Sequence, residues 1–169
     1  MGALAAAVVF RHQGPTRSSA RGAAPAPGAT PAVAVAPPPV VTVSDRMAPL
    51  MRKGFDAAQN GDLDQAATAF RQAVEVDPTD AEAWDSLGVV LVRAGDEARG
   101  VEAFRRALRA APGHAEAHRN LAVVLDRQGR AAEAARHYKA FLAKSPADSP
   151  DRATILARLE EMGARRTGE

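Results

Sequence analysis

A spacing of 34 residues recurs through most of this chain and limits what it can fold into. Pro78, Pro112 and Pro146 stand 34 apart, and so do Gly61, Gly95 and Gly129. The same interval links Phe70, Phe104 and Tyr138, then Ala66, Gly100 and Ala134, then Leu50, Trp84 and His118. It also links Gly54, Gly88 and Ala122, and Ala57, Leu91 and Leu125. Only five prolines lie beyond residue 45, and three of them keep this period, so coincidence is no competitor. A period of this length marks a helical unit that cannot cover its apolar face alone and must stack on copies of itself.

Each unit reads as a helical hairpin, giving repeats at 47–80, 81–114 and 115–148. Residues 47–59, 81–93 and 115–127 place apolar or small side chains at helical spacing, as in Trp84, Leu87, Gly88 and Leu91. Gly61, Gly95 and Gly129 follow, where a left-handed residue ends a helix at little steric cost. Second helices are expected over 63–76, 97–110 and 131–144. Asp62 with Gln65, and Asp96, supply N-caps, whereas Arg130 supplies none. The periodic proline stops the pairing, and Thr79 with Glu82 reads as a capping box for the next unit. Gly54, Gly88 and Ala122, with Ala66, Gly100 and Ala134, let helices approach closely. Phe70, Phe104 and Tyr138 are expected to fill the space between units.

A closing helix is expected from Ser149-Pro150 to Met162, with Gly163 as its stop. Ile155, Leu156 and Leu159 would cover the last hairpin, leaving Arg152, Arg158, Glu160 and Glu161 to water. Scarce aromatics (Phe 5, Trp 1, Tyr 1) and abundant alanine favour this all-α fold over a β-rich core.

Residues 1–45 differ in composition. They hold seven of the chain's 12 prolines, including Pro37-Pro38-Pro39, and show no helical or alternating period. Such a segment is expected to be a disordered, extended spacer, and residues 164–169 a short disordered end. The apolar run Met1–Phe10 is shorter than the roughly 20 residues a membrane span requires. It reads either as the apolar start of the tail or as part of a signal or anchor whose beginning is missing from the chain. Localisation accordingly stays open between a soluble cytoplasmic protein and an exported or membrane-tethered one.

Charge narrows the partners. Arg11, Arg17, Arg21 and Asp45 account for the formal net charge of +2, which leaves the rest of the chain neutral. A neutral domain offers no electrostatic footprint for phosphate backbones or anionic lipid, so nucleic acid is not an expected partner. The absence of cysteine excludes disulfides and thiolate metal sites.

The pattern Trp84-x2-Leu87-Gly88-x2-Leu91, then Gly100-x3-Phe104, then Pro112 resembles the tetratricopeptide repeat (TPR) family. The first unit runs Leu50-x2-Lys53-Gly54-x2-Ala57, Ala66-x3-Phe70, Pro78, and the third His118-x2-Leu121-Ala122-x2-Leu125, Ala134-x3-Tyr138, Pro146. Departures are Lys53 for leucine, Gly100 for alanine, and Phe141 for a later alanine. On helix propensity alone Gly100 costs about 1 kcal/mol relative to alanine. The resemblance covers residues 47 to about 162. It implies a right-handed superhelical solenoid of three hairpins plus a capping helix, whose first helices line a concave groove for an extended peptide or a helix.

Projected onto that groove, Phe55, Val89 and Val123 form an apolar row with Met51 and Val92 beside it. Gln59, Arg93 and Arg127 form a second row. Asp85, Arg119, Asn120 and Asp126 flank them, with Glu82 and Glu116 at the lip. One reading is a site for a peptide with hydrophobic anchors and an acidic group. The other is half-buried valines and solvated arginines. Family members that clamp the C-terminal carboxylate of heat-shock chaperones use Lys and Asn on their first helix. The matching sites here hold Met51 and Phe55, followed by Ser86, Glu116 and Asn120, so that clamp is not expected.

Catalytic signatures are missing. The sequence has no glycine-rich phosphate loop, no Gly-x-Ser-x-Gly elbow and no His-Glu-x-x-His pair. His114 and His118 are four apart but lack a third ligand, and His137 reads as a surface residue. The expected function is a non-catalytic adaptor or scaffold for a protein or peptide, without cofactor, metal or small-molecule substrate. The alternative is a structural or self-assembling subunit of a larger complex, in which membrane linkage would require an N-terminal anchor.

Overall fold

Three identical turns organise the chain. In each, a glycine with positive φ (Gly61 +81°, Gly95 +89°, Gly129 +76°) ends the first helix of a hairpin. The residue after it donates its N–H five residues back, Asp62 to Ala57, Asp96 to Leu91 and Arg130 to Leu125, each at 2.9 Å. The glycine's own N–H reaches three residues back, completing a Schellman closure each time. A Cβ at these glycines would meet nothing within 4 Å, so only the backbone conformation requires glycine there.

The computed structural model describes residues 41–167, with side chains described as far as Gly163. It contains seven helices and, among these residues, no strand: α1 Val43–Gln59, α2 Leu63–Val76, α3 Ala81–Arg93, α4 Glu97–Ala110, α5 Ala115–Arg127, α6 Ala131–Lys144 and α7 Asp151–Thr167. Residues 1–40 and 168–169 of the two expected tails lie outside the described residues.

Local chemistry shifts several expected boundaries. α1 starts at Val43, inside the stretch read as tail, because Thr42 and Asp45 form a reciprocal capping box. The Thr42 N–H donates to Asp45 Oδ2 at 2.8 Å, and the Asp45 N–H to Thr42 Oγ1 at 3.1 Å. These bonds hold the Asp45 carboxyl below its usual range. Pro49 therefore lies inside the helix. α3 is capped by Asp80 and not by Thr79: the Asp80 carboxylate accepts from the Ala83 N–H at 2.8 Å. Thr79 instead donates to Asp77, which closes the preceding turn. One period later His114 takes the same role, its Nδ1 accepting from the Ala117 N–H at 3.2 Å. Arg130 makes no side-chain cap for α6, as its sequence suggests.

Within each of the first two hairpins an aromatic ring lies directly on a glycine. A Cβ built on Gly54 would sit 2.5 Å from Phe70, and one on Gly88 2.5 Å from Phe104. Both rings are 1% exposed, so they fill the hairpin itself and not only the space between units. The third hairpin uses the milder pair Ala122 and Tyr138, both buried. Gly100 is also a contact residue: its Cβ would lie 2.4 Å from Val92 Cγ2 and 3.1 Å from the Gly88 carbonyl. The departure from alanine thus lets α4 lie close against α3. Phe141 is 0% exposed and sits in the second core cluster with Phe104, Leu121, Leu125 and Ile155.

In the slot shared by Leu50, Trp84 and His118, the two ring nitrogens latch the preceding turn, whereas Leu50 packs on the core. Trp84 Nε1–H donates to the Pro78 carbonyl at 2.9 Å, and His118 Nε2 reaches the Pro112 carbonyl at 3.1 Å. Arg152, one period on, donates to the Leu142 carbonyl at 2.7 Å. The expectation that Arg152 and Arg158 face water fails, since Arg158 pairs with Asp126 at 2.7 and 2.8 Å. Leu156 was expected to cover the last hairpin but is 48% exposed. It occupies the register of Gly88 and Ala122, the face turned toward a hairpin partner, and α7 has none among the described residues. α7 also runs past Gly163, where nothing lies near the missing Cβ, to Thr167.

Substituting Gly88 with alanine should destabilise the protein by about 1–3 kcal/mol through overpacking. Gly100→Ala should also lower the urea midpoint, although alanine is the better helix former. A raised midpoint for G100A would mean that Val92 yields without strain.

Candidate functional site

Helices α1, α3 and α5 present one face of the stack, and on it lies an open cavity of about 720 Å³. Its apolar wall is built by Phe55, Ala58, Phe70, Val89 and Val90. Phe55 leans edge-on against Phe70, with ring centroids 5.2 Å apart and planes at 73°. It is nonetheless 40% exposed, because Phe70 is held against Gly54 and leaves Phe55 no room in the core. The polar wall comes from Glu82, Asp85, Ser86, Arg93, His114, Glu116, Arg119 and Asn120.

Of the eight residues singled out in the sequence, Phe55, Val89, Arg93, Arg119 and Asn120 line this cavity. Met51, Val123 and Arg127 do not. Met51 packs against the first core cluster. Val123 is 43% exposed but lies outside the cavity lining. Arg127 Nη2 is drawn 2.9 Å from Glu97 Oε1 at the start of α4.

The arginines are largely engaged inside the protein. Arg119 Nη1 donates to Asp151 at 2.9 Å, and its buried Nε lies 3.0 Å from a Glu116 oxygen without hydrogen-bonding to it. Arg93 Nη1 donates to the Ala58 carbonyl at 3.3 Å. Asn120 Nδ2 donates to both oxygens of Asp85, at 3.0 and 3.1 Å, and so joins α5 to α3. Asp85 is 9% exposed, and burial raises its pKa above the usual carboxylate value against the opposing effect of the Asn120 bond. In the sequence Asp85 stands only at the margin of the apolar row. The available signal was a carboxylate between Trp84 and Leu87, in the slot that holds Met51 and Arg119 in the flanking repeats.

A second polar contact escaped the sequence. His137 was read as a surface residue, but it is half-buried, with its Nδ1 2.9 Å from His118 Nδ1. His118 Nε2 faces a carbonyl oxygen and must donate, so its Nδ1 accepts and His137 Nδ1–H donates. Burial lowers the His137 pKa below 6.5, reinforced by His118, Arg136 and Arg105 and opposed by Glu133. Among the described residues no group of three or more His, Cys, Asp or Glu side chains could hold a metal ion, and no helix is long and apolar enough to cross a membrane.

The hairpin geometry and the motif agree with comparisons to known proteins. The tetratricopeptide repeat family model matches residues 52–114 and 86–149, which together span more than half of the chain. This chain belongs to the tetratricopeptide repeat family. Among solved structures it is similar to the type III secretion translocator chaperone SycD of Yersinia enterocolitica, with 18% identity and a TM-score of 0.67 over 73% of this chain and 88% of that one. It is also similar to the first TPR of Spaghetti (RPAP3) bound to the HSP90 peptide SRMEEVD, with 15% identity and a TM-score of 0.66 over 73% and 98%. The TPR2B domain of yeast Sti1, in a complex with pHsp70, aligns at 14% identity and a TM-score of 0.65 over 71% and 98%. At these identities the likeness establishes the fold, a superhelical solenoid of helical hairpins. No curated protein sequence matches the chain closely enough to add a relative of known activity.

Because the folded pKa of His137 lies below 6.5, the neutral ring contributes stability that is present above pH 6.5 and lost as the pH falls through the folded value. The urea midpoint should therefore drop between neutral and mildly acidic pH, and H137Q should flatten that drop. An unchanged slope in H137Q would assign the acid sensitivity to another group.

Proposed function

We propose that the protein is a non-catalytic interaction module that holds a peptide or helix of a partner protein in the cavity on α1, α3 and α5. The observation that carries this reading is Phe55, 40% exposed beside Val89 in an open cavity of about 720 Å³. A large apolar side chain held at the surface of a cavity, with polar groups converging around it, suits recognition more than packing. Two similar structures support the reading by analogy. One is RPAP3 bound to the HSP90 peptide, and the other is SycD in complex with a peptide of the translocator YopD. The partner's chemistry differs from that of an acidic chaperone tail, because Met51, Phe55, Ser86, Glu116 and Asn120 stand where such a clamp needs cations and amides. Their place in the cavity lining supports Phe55, Val89 and Asn120 as groove residues, whereas Val123 and Arg127 lie outside that lining.

Phe55→Ser and Val89→Asp should each weaken capture of a groove-binding peptide by about tenfold or more, roughly the loss of one buried anchor. Fluorescence anisotropy reads the affinity and far-UV circular dichroism checks the fold. Folded variants that bind as tightly as the parent would overturn the assignment.

A further inference from the structure

The cavity has a charge polarity that its sequence hides. At its α3 and α5 N-terminal end stand Glu82, Asp85 and Glu116, while the cation there, Arg119, is already paired with Glu116 and Asp151. The other cation, Arg93, lies eight residues farther along α3, roughly 12 Å away at the rise of a helix, and donates to the Ala58 carbonyl.

Asp85 is the one charged residue among those described that is buried, at 9% exposure, and it lines the cavity. Its two oxygens share a single donor group, the Asn120 amide. A carboxylate accepts about four hydrogen bonds. Among the described residues no cation lies within ion-pair distance of it, although a buried carboxylate without one carries a desolvation penalty.

We propose that Asp85, supported by Glu82 and Glu116, is a subsite for a lysine or arginine side chain of the bound peptide, and that the protein selects segments pairing a basic residue with an apolar one. This inference rests on the groove being the peptide site. The spacing follows from the backbone. Asp85 and Val89 are four residues apart on α3, about 6 Å along its axis. In an extended peptide that distance separates residues i and i+2, whose side chains share one face. The recognised element is a Lys or Arg two positions from a bulky apolar residue that contacts Phe55 and Val89. Asn120 holds the carboxylate from α5.

The test uses the full chain and a displayed library of random peptides, with Phe55→Ser and Val89→Asp as controls for groove binding. One recovered peptide is then synthesised with Lys, Gln or Glu at the position of its basic residue. The Lys form should bind about tenfold tighter than the Gln form and the Glu form weakest, a gap expected of one desolvated charge pair. D85N should bring the Lys and Gln forms to near equality while the apolar contribution persists. Groove-dependent peptides without basic enrichment would overturn the cation subsite and leave the groove reading standing. A Lys preference unchanged in D85N, with only a lower melting temperature, would reduce Asp85 to a rivet between α3 and α5 and overturn the proposal. Recovery of no peptide sensitive to Phe55→Ser and Val89→Asp would overturn both readings.

Discussion

An aromatic ring resting on a bare backbone sets the geometry on which the rest of this protein depends. Phe70 on Gly54 and Phe104 on Gly88 bring the two helices of a hairpin closer than any side chain at the glycine position would allow. Gly100 tightens α3 against α4 in the same way. With the hairpin angle held by these contacts and its turn closed by a positive-φ glycine, successive units can only stack with their first helices side by side. The cavity is a consequence. Phe70 is committed to Gly54, so Phe55 is left leaning on its edge, half in water.

A few charged and polar side chains join one unit to the next. Asn120 to Asp85, Arg158 to Asp126 and Gln128 to Glu97 each link side chains from different hairpins or from the closing helix. Arg119 bridges α5 to α7 through Asp151, and Arg127 reaches the start of α4 through Glu97. The isolated exposed pairs add little to stability, but they occupy Arg119 at the cavity and hold Arg127 outside it. A groove that looks basic in a list of residues therefore presents carboxylates at one end.

The repeats are similar without being equivalent, and the differences fall where chemistry can vary without disturbing the turn. One slot carries Trp84, His118 and Arg152; the first two send an N–H to a carbonyl in the preceding turn, and Arg152 sends one to the last turn of α6. Only the histidine version brings a second titrating group with it, because His137 has to donate to the nitrogen that His118 leaves free. The cap position likewise changes from Asp80 to His114 while the backbone bond it accepts is kept.

What the sequence by itself determined is the repeating unit: the period, the turn glycines, the all-helical fold and its family. These follow from local rules, since a positive φ, a cap or an apolar stripe is legible within a few residues. Five of the eight residues singled out in the sequence line the cavity, because a fixed period projects side chains onto a common face. Tertiary structure alone decided which of them remain free to act. Arg119 and Arg127 look available until Asp151 and Glu97, some 30 residues away in sequence, are brought beside them. Asp85 looks like one more surface carboxylate until α5 is packed over it. Ion pairing and desolvation depend on distances between units, and a spacing along the chain does not contain them.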